Sequence, residues 1–477
     1  MSPPCYPHAA PGGPGAVRSG PFPGYEGRRT PLRYCASQSR RAAHLLLVAL
    51  ALAVVEGALR KWFIGIQANH WALVAYFSKD IVFATILLYH PKAAISPALG
   101  CFRNWLVAGI LMLLLGMLLS SLRGINPVGA ALTFRATVLL PTVACLAVTR
   151  LGKIRISKVA WLLALLTLLN SGLALLQNRL PVEHLLNRHV GSDTEIAVLE
   201  SGIRATGTFS FITGLEVLTF VGIWAGMVLL SVAPRAWTQA AGLVTICAAF
   251  ACGLASVSRA PLLAGVGALM AWAWYSRMWF RHSRAVFLSI LLLLLAIAAG
   301  LAPVFMRLSR AVLERHQSGG DTFANRAFGQ FDEAMQAVVL APFGCGFGSE
   351  QIAGNYAAKG QMTFTTFENQ LPRLILETGV PGLLGFLTIC AGSIVSLQRA
   401  KKELVKPQTR SVALATQLLL VCLFYTNVIF NHTASAFAWL LFAAALAAIP
   451  GSEHCSLYDS KRLLQRRSRF HRPYPAH

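Results

Sequence analysis

The sequence predicts an all-α polytopic integral membrane protein with about twelve transmembrane helices and one large loop outside the cytoplasm. Of its 477 residues, 55% are hydrophobic and only 13% are charged, whereas a soluble domain has about 25% charged residues. The mean hydropathy is +0.58, and several apolar runs reach the roughly 20 residues that a spanning helix needs. These observations exclude a soluble globular protein, a disordered chain and a fibrous protein.

The membrane domain is predicted over residues 42–450, between two basic cytoplasmic tails at 1–41 and 451–477. The first tail is rich in Pro, Gly and Arg and has no apolar periodicity, so it is predicted to be flexible. The candidate spans lie at 42–59, 71–90, 104–121, 128–149, 157–177, 207–232, 236–256, 260–276, 285–305, 377–397, 411–430 and 434–450.

The distribution of charge predicts the orientation of the spans. The net charge is +24, and both tails are basic. An even number of spans places both tails on the same side, and positively charged segments favour the cytoplasm. Loops 178–206 and 306–376 then face outward, and the second is the longest polar connection. The excess charge indicates contact with anionic lipid headgroups, and no nucleic-acid-binding motif accompanies it, so nucleic acid is not an expected partner.

The large loop contains the residues most suited to chemistry. Glycines 344, 346 and 348 permit close approach of the backbone to a ligand, or they merely form the turn after an amphipathic helix at about 323–339. Glu368, beside Asn369, is a candidate general base, because a carboxylate in a partly dry site can have a raised pKa. The alternative for Glu368, and equally for Glu377, is a solvated acid or one that favours a helix N-terminus.

Four arginines depart from the expectation that positive charge stays inside. Arg204, Arg259, Arg326 and Arg373 fall in or near the outer loops. Arginine makes bidentate contacts with phosphate and stays charged at any relevant pH. The alternative for Arg259, which lies in a short turn between two spans, is snorkelling to lipid phosphate.

Polar residues inside the predicted spans are candidates for function or for structural ion pairs. They are Glu56, Lys79, Asp80, Arg135, Asn170 and Glu216. Asp193-Thr194-Glu195 is too weak a pattern for a metal site, and no Walker A segment or GxGxxG pattern is present. No metal or cofactor is therefore expected, and transport driven by ATP is unsupported.

The sequence resembles the bacterial O-antigen polymerase and ligase superfamily of polytopic glycan transferases. Four segments carry the resemblance, in family order: Arg204-Ala-Thr-Gly-Thr-Phe-Ser210, Ser256-Val-Ser-Arg259, Asn325-Arg326 followed by Pro342 to Gly348, and Glu368-Asn369 with Leu374, Glu377 and Gly379. The stretch Glu56 to Phe63 is similar to one in exopolysaccharide-cluster members.

The resemblance implies a glycosyltransferase of the bacterial inner (cytoplasmic) membrane that acts at the periplasmic face, with both termini cytoplasmic. Its donor would be an oligosaccharide on undecaprenyl diphosphate, in O-antigen or exopolysaccharide synthesis. Glu368 and Asn369 are the implied catalytic residues, and Arg259, Arg326, Arg204 and Arg373 the implied diphosphate ligands. Membrane lipid is a further partner, and family analogy suggests a chain-length regulator and an export complex.

The sequence leaves three functions open. Ligases that load glycan onto lipid A core typically have His at the first position of the last of these four segments, where this sequence has Glu368. This departure favours a polymerase of repeat units over a ligase that transfers finished glycan to lipid A core or another acceptor. A lipid-linked glycan flippase or exporter without catalysis is the alternative from another class, but such a transporter typically shows internal repeats, and none is evident.

Overall fold

The computed structural model describes residues 29–64, 70–89, 96–151, 154–188, 198–199, 202–232, 235–276, 306, 323–350, 370–404, 407–426 and 432–448. Its α-helices are α1 (Arg29–Ala58), α2 (His70–Thr85), α3 (Pro97–Ser121), α4 (Pro127–Phe134), α5 (Leu140–Leu151), α6 (Ile156–Gln177), α7 (Ile212–Val232), α8 (Ala236–Ala255), α9 (Arg259–Ser276), α10 (Phe323–Leu340), α11 (Gln370–Glu403), α12 (Pro407–Tyr425) and α13 (His432–Ala448). Two short 3₁₀ turns lie at Ile86–Leu88 and Leu185–Asn187.

The predicted spans agree with the helices wherever the structure describes them. Each predicted span overlaps a helix except the one at 285–305, which lies outside the described residues. Within the described ranges, seven helices are long and apolar enough to cross a membrane. The protein is therefore a multi-pass, helical membrane protein, while the predicted number of twelve spans is not confirmed. The helix predicted at about 323–339 is present as α10.

Local sequence explains where two of these helices begin. Ser96 caps α3, because its Oγ accepts a hydrogen bond from the Leu99 amide at 3.2 Å. Asn126 caps α4 in the same way, with Oδ1 accepting from the Gly129 amide at 3.2 Å. A proline follows each cap at the first helical position, where its missing N–H would have had no helical partner.

Helices α3 and α11 pack against each other through glycines. Helix α3 lies along α11, and a Cβ at Gly109 would lie 2.6 Å from the Gly385 carbonyl oxygen. A Cβ at Gly116 would lie 2.6 Å from the Gly382 amide nitrogen. The two backbones are therefore in direct contact, as small residues permit between membrane helices.

Three irregular turns interrupt the helices. Residues Leu59–Ile64 and Arg135–Leu139 form π-helical turns, which are often found at functional sites. Helix α11 bends at Gly379, whose φ of 67° and ψ of −177° are not helical, two residues before Pro381. A two-residue antiparallel strand pair, β1 (Val198–Leu199) with β2 (Gly202–Ile203), lies in the loop predicted at 178–206.

Candidate functional site

Two of the segments that resemble the superfamily, at residues 204–210 and 256–259, meet at one end of the helix bundle. Asn178, just after α6, donates through Nδ2 to the Ala255 carbonyl at the end of α8, at 3.4 Å. The Ala205 amide, before α7, donates to the same carbonyl at 2.9 Å. The ends of α6 and α8 therefore lie beside the chain that leads into α7, and a turn of three residues separates the end of α8 from the start of α9.

Arg204 joins two of these segments directly. Its Nε donates to the Ser256 carbonyl at 3.0 Å, and its Nη2 lies 3.7 Å from Glu216 Oε1 on α7. Arg204 is 7% exposed. The guanidinium therefore holds the turn at residues 256–258 against α7, and it lies three residues from the point where Arg259 begins α9.

The turn before Arg259 has an unusual backbone. Val257 has a φ of 52° and is buried. A β-branched residue in this left-handed region is strained, and such strain persists only where the surroundings enforce it, often at functional sites. Here the carbonyl of Ser256 is held by Arg204, and the amide of Ser258 donates to the Gly253 carbonyl at 3.4 Å. The backbone of Arg259 is thereby fixed, and its side chain lies outside the described residues.

The segment from Arg204 to Ser210 is fixed by polar side chains of α6 and by the end of α1. Gln177 Oε1 accepts hydrogen bonds from the amides of Thr206 at 3.2 Å and Gly207 at 2.8 Å. Asn170 Oδ1 accepts from the Thr208 amide at 2.9 Å. The intramembrane candidate Asn170 therefore has a structural role.

Lys61, in the π-helical turn after α1, contacts the same segment. Its Nζ donates to Thr206 Oγ1 at 2.8 Å and to the Gly207 carbonyl at 2.9 Å. Lys61 is 1% exposed, and within the described ranges it has no acidic partner. A buried lysine amine therefore lies beside the segment Gly207-Thr208-Phe209.

The glycine turn at residues 344–348 packs against protein backbone. All three glycines have positive φ, at 85°, 149° and 79°. Arg123 Nη1 donates to the Gly344 carbonyl at 2.9 Å, and the Gly346 amide donates to Ser120 Oγ at 3.1 Å. A Cβ at Gly379 would lie 2.7 Å from the Pro342 carbonyl oxygen. The glycines therefore allow close approach to the α3–α4 connection and to the bend of α11.

Glu377 is buried beside this turn. It is 1% exposed, and Thr133 of α4 donates a hydrogen bond through Oγ1 to Glu377 Oε2. The Cys345 amide donates to the Leu376 carbonyl at 2.6 Å. Of the interpretations left open for Glu377, a solvated loop acid is therefore wrong, because Glu377 joins α4 to α11.

Charged residues of three helices form a buried cluster around Tyr76, here called the Tyr76 cluster. Its members are Glu56, Arg60, Tyr76, Lys79, Asp80 and Arg135. Arg135 makes a bidentate ion pair with Asp80, at 2.6 Å from Nε to Oδ2 and 2.9 Å from Nη2 to Oδ1. Glu56 accepts hydrogen bonds from Lys79 and, at 3.3 Å, from Arg60.

The Tyr76 ring lies close to the three basic side chains of the cluster. The distances from the ring centroid are 5.4 Å to Arg60 Cζ, 4.5 Å to Lys79 Nζ and 5.5 Å to Arg135 Cζ. Cation–π attraction adds to the ion pairs in such an arrangement. The intramembrane candidates Glu56, Lys79 and Asp80 are thus paired.

The structure describes only some of the remaining predicted site residues. Glu368 and Asn369 lie outside the described residues. Arg326 lies in α10, and its side chain is also outside the described set. Arg373 is half-buried in the first turn of α11. In the described ranges, no three His, Cys, Asp or Glu side chains lie close enough to share a metal ion.

An apolar groove lies between α6 and α8, toward the opposite end of these helices. Its volume is about 530 Å³. It is lined by Trp161, Leu165, Leu168, Ala241, Val244 and Thr245, so a hydrocarbon chain suits it chemically.

Sequence reasoning did not assign a role to Arg60, Lys61 or Thr133. For Arg60 and Lys61 a signal existed, since both belong to the Glu56 to Phe63 stretch. For Thr133 there was none, because its partner Glu377 is 244 residues away along the chain.

Comparison with known proteins finds a family for one part of the chain. No curated protein matches the chain. Residues 242–387 match the family model described as O-antigen ligase. This stretch includes Arg259, Arg326, Glu368, Asn369 and Arg373, whereas Arg204 and the Tyr76 cluster precede it. Residues 242–387 therefore carry a domain of the O-antigen ligase and polymerase-like superfamily.

Proposed function

We propose that the protein is a membrane glycosyltransferase that polymerises oligosaccharide repeat units linked to polyprenyl diphosphate. It acts at the periplasmic face of the inner membrane, with both termini in the cytoplasm, in exopolysaccharide or O-antigen synthesis. The observation that carries the proposal is the hydrogen bond from Arg204 to the Ser256 carbonyl. It ties one arginine of the proposed diphosphate site to the turn that leads into another, Arg259, inside the matched domain.

The reaction is a displacement at the anomeric carbon of the donor sugar. A hydroxyl oxygen of the acceptor repeat unit forms a bond to that carbon, and the bond from the carbon to the diphosphate oxygen breaks. The bonding electron pair leaves with the polyprenyl diphosphate. Glu368 takes the proton of the acceptor hydroxyl, and Asn369 orients the carboxylate or the acceptor. General-base assistance of this kind contributes about 10²- to 10⁴-fold to a rate.

The arginines stabilise the leaving diphosphate. Negative charge grows on the diphosphate oxygens as the bond breaks, and fixed cations aimed at them lower the barrier. We assign this role to Arg259 and Arg326, with Arg204 and Arg373 in support. The fixed backbone of the 256–258 turn suits this role, because a preorganised cation needs no reorganisation at the moment of reaction.

A ligase is the second candidate, because the matched family model is described as O-antigen ligase. The chemistry of donor and leaving group is the same, and only the acceptor differs. Glu368 stands where lipid A core ligases typically have His, and this favours the polymerase.

The test compares lipid-linked and secreted glycans of a deletion strain that carries wild type, Glu368→Gln or Arg259→Gln at matched membrane expression. We expect each variant to lower polymer yield about 100-fold or more, while single repeat units accumulate on the lipid carrier. Asp332→Asn is the matched control, because Asp332 is an exposed acid on α10 in the same predicted loop.

Other outcomes point to other functions. Full-length chains that form on the carrier but never reach a final acceptor identify a ligase. Normal polymer from both variants contradicts the catalytic assignment and favours a flippase or exporter.

A further inference from the structure

The π-helical turn after α1 has more basic side chains around it than carboxylates. Arg135 forms an ion pair with Asp80, and Glu56 is shared by Arg60 and Lys79. Lys61 donates to the neutral oxygens of Thr206 and Gly207 and lies 5.1 Å from the centroid of the Trp62 ring. Four basic side chains around this turn thus face two carboxylates among the described residues.

Hydrogen-bond donors of the same turn also lack acceptors. Arg60 Nε and Trp62 Nε1 are buried, and neither has a hydrogen-bond partner in the described part of the chain. A buried donor without an acceptor costs about 1–3 kcal/mol, and more for charged groups. Both deficits, of negative charge and of acceptors, lie in three consecutive residues, 60–62.

We propose that the Arg60-Lys61-Trp62 turn binds a phosphate group carried by a lipid. A phosphate supplies both negative charge and acceptor oxygens, and charged hydrogen bonds from Arg and Lys are the strong ones. The Arg60 side chain is 19% exposed, so it is accessible from outside the bundle. Polar residues inside membrane spans that retain excess charge commonly mark substrate or ion sites.

The position of the turn relates the phosphate to the proposed reaction. Lys61 Nζ bonds to Thr206 and Gly207, two and three residues from Arg204, which holds the turn before Arg259. A phosphate at residues 60–62 thus lies beside the chain segment that carries the proposed diphosphate ligands. The identification of this phosphate with the lipid-linked donor rests on the proposed function, whereas an anionic membrane lipid would satisfy the same chemistry.

The experiment measures lipid binding to the purified full-length protein by native mass spectrometry, with undecaprenyl diphosphate and phosphatidylglycerol as separate probes. We expect Arg60→Gln to weaken the binding of undecaprenyl diphosphate about tenfold, the loss of about one charged hydrogen bond, with phosphatidylglycerol unchanged. Arg60→Gln leaves Glu56 paired with Lys79, so the variant retains the ion pair between α1 and α2.

Three further variants separate charge from hydrogen bonding and from folding. Arg60→Lys keeps the charge but loses the Nε donor, so we expect an intermediate affinity. Arg179→Gln is the matched control, because Arg179 is an exposed arginine just after α6, at the same end of the bundle, and we expect it to bind both probes normally. Lys61→Gln tests the neighbouring cation if the Arg60 variants fail to fold.

The outcomes are distinct. Weaker binding of phosphatidylglycerol alone assigns the turn to a membrane lipid headgroup and detaches it from the donor. Unchanged binding of both probes by Arg60→Gln and Lys61→Gln overturns the proposal. If Arg60→Gln loses undecaprenyl diphosphate while Glu368→Gln still makes normal polymer, the phosphate site stands and the proposed polymerase fails.

Discussion

The α3–α11 interface and the Tyr76 cluster join membrane helices in opposite ways. The first brings backbones together through Gly109, Gly116 and Gly385. The second places Glu56, Arg60, Lys79, Asp80 and Arg135 around one aromatic ring. Lipid tails are as apolar as leucine, so helix association in a membrane relies on close packing and on polar contacts.

The glycine interface and the Tyr76 cluster have different consequences for stability and for function. Direct backbone contact tolerates no added atom, but it needs no partner outside the protein. The ionic cluster is satisfied where charges match, as at Arg135 and Asp80. Among the described residues, Arg60 shares Glu56 with Lys79 and Lys61 has no acidic partner, and from this imbalance we infer a ligand. A glycine interface therefore predicts rigidity, and an unbalanced ionic cluster predicts binding.

The largest expected effect comes from breaking the balanced ion pair. Asp80→Asn removes the bidentate carboxylate partner of the buried Arg135, and we expect it to lower the free energy of unfolding by about 3–5 kcal/mol. Adding Arg135→Gln to the same chain should restore more than half of the loss, because two neutral amides then replace a broken ion pair. Reversible unfolding in mixed micelles measures both, and a single-variant loss below about 1 kcal/mol would show that the pair is solvated.

A smaller loss is expected at the glycine interface. Gly116→Ala adds a Cβ within 2.6 Å of the Gly382 amide nitrogen, and overpacking of this kind costs about 1–3 kcal/mol. Gly172→Ala in α6 is the matched control, since nothing lies within 4 Å of its added Cβ, and alanine favours a helix over glycine by about 1 kcal/mol. Thermal unfolding of both in the same detergent should shift in opposite directions, and equal shifts would contradict the close contact.

The smallest effect is expected from a single hydrogen bond between helices. Trp224 Nε1 on α7 donates to Thr416 Oγ1 on α12 at 3.0 Å. Thr416→Val should lower the free energy of unfolding by about 0.6 kcal/mol, the average for such bonds in a membrane. Thr388→Val is the comparison, because the Thr388 hydroxyl bonds within its own helix to the Leu384 carbonyl at 2.7 Å. A loss above about 2 kcal/mol for Thr416→Val would place single hydrogen bonds on a level with the glycine contacts.

Hydropathy alone was sufficient to locate the membrane helices. Apolar runs of spanning length coincide with the seven described helical segments that are long and apolar enough to cross a membrane, because a chain in hydrocarbon must satisfy its backbone hydrogen bonds internally. Order and spacing of short motifs were sufficient to identify the superfamily, which the match at 242–387 bears out. These properties are local along the sequence.

Which polar side chains meet was decided by the tertiary structure alone. The glycines at 344–348 could have cradled a ligand, but they pack on Ser120, Gly124 and Gly379. Glu377 could have been solvated, but it is buried against Thr133. Hydropathy cannot choose between such alternatives, because lipid and protein interior are equally apolar surroundings for a helix. Partners are selected only when the helices pack, and in that step Lys61 came to lie beside Thr206, with no acidic partner in the part of the chain that the structure describes.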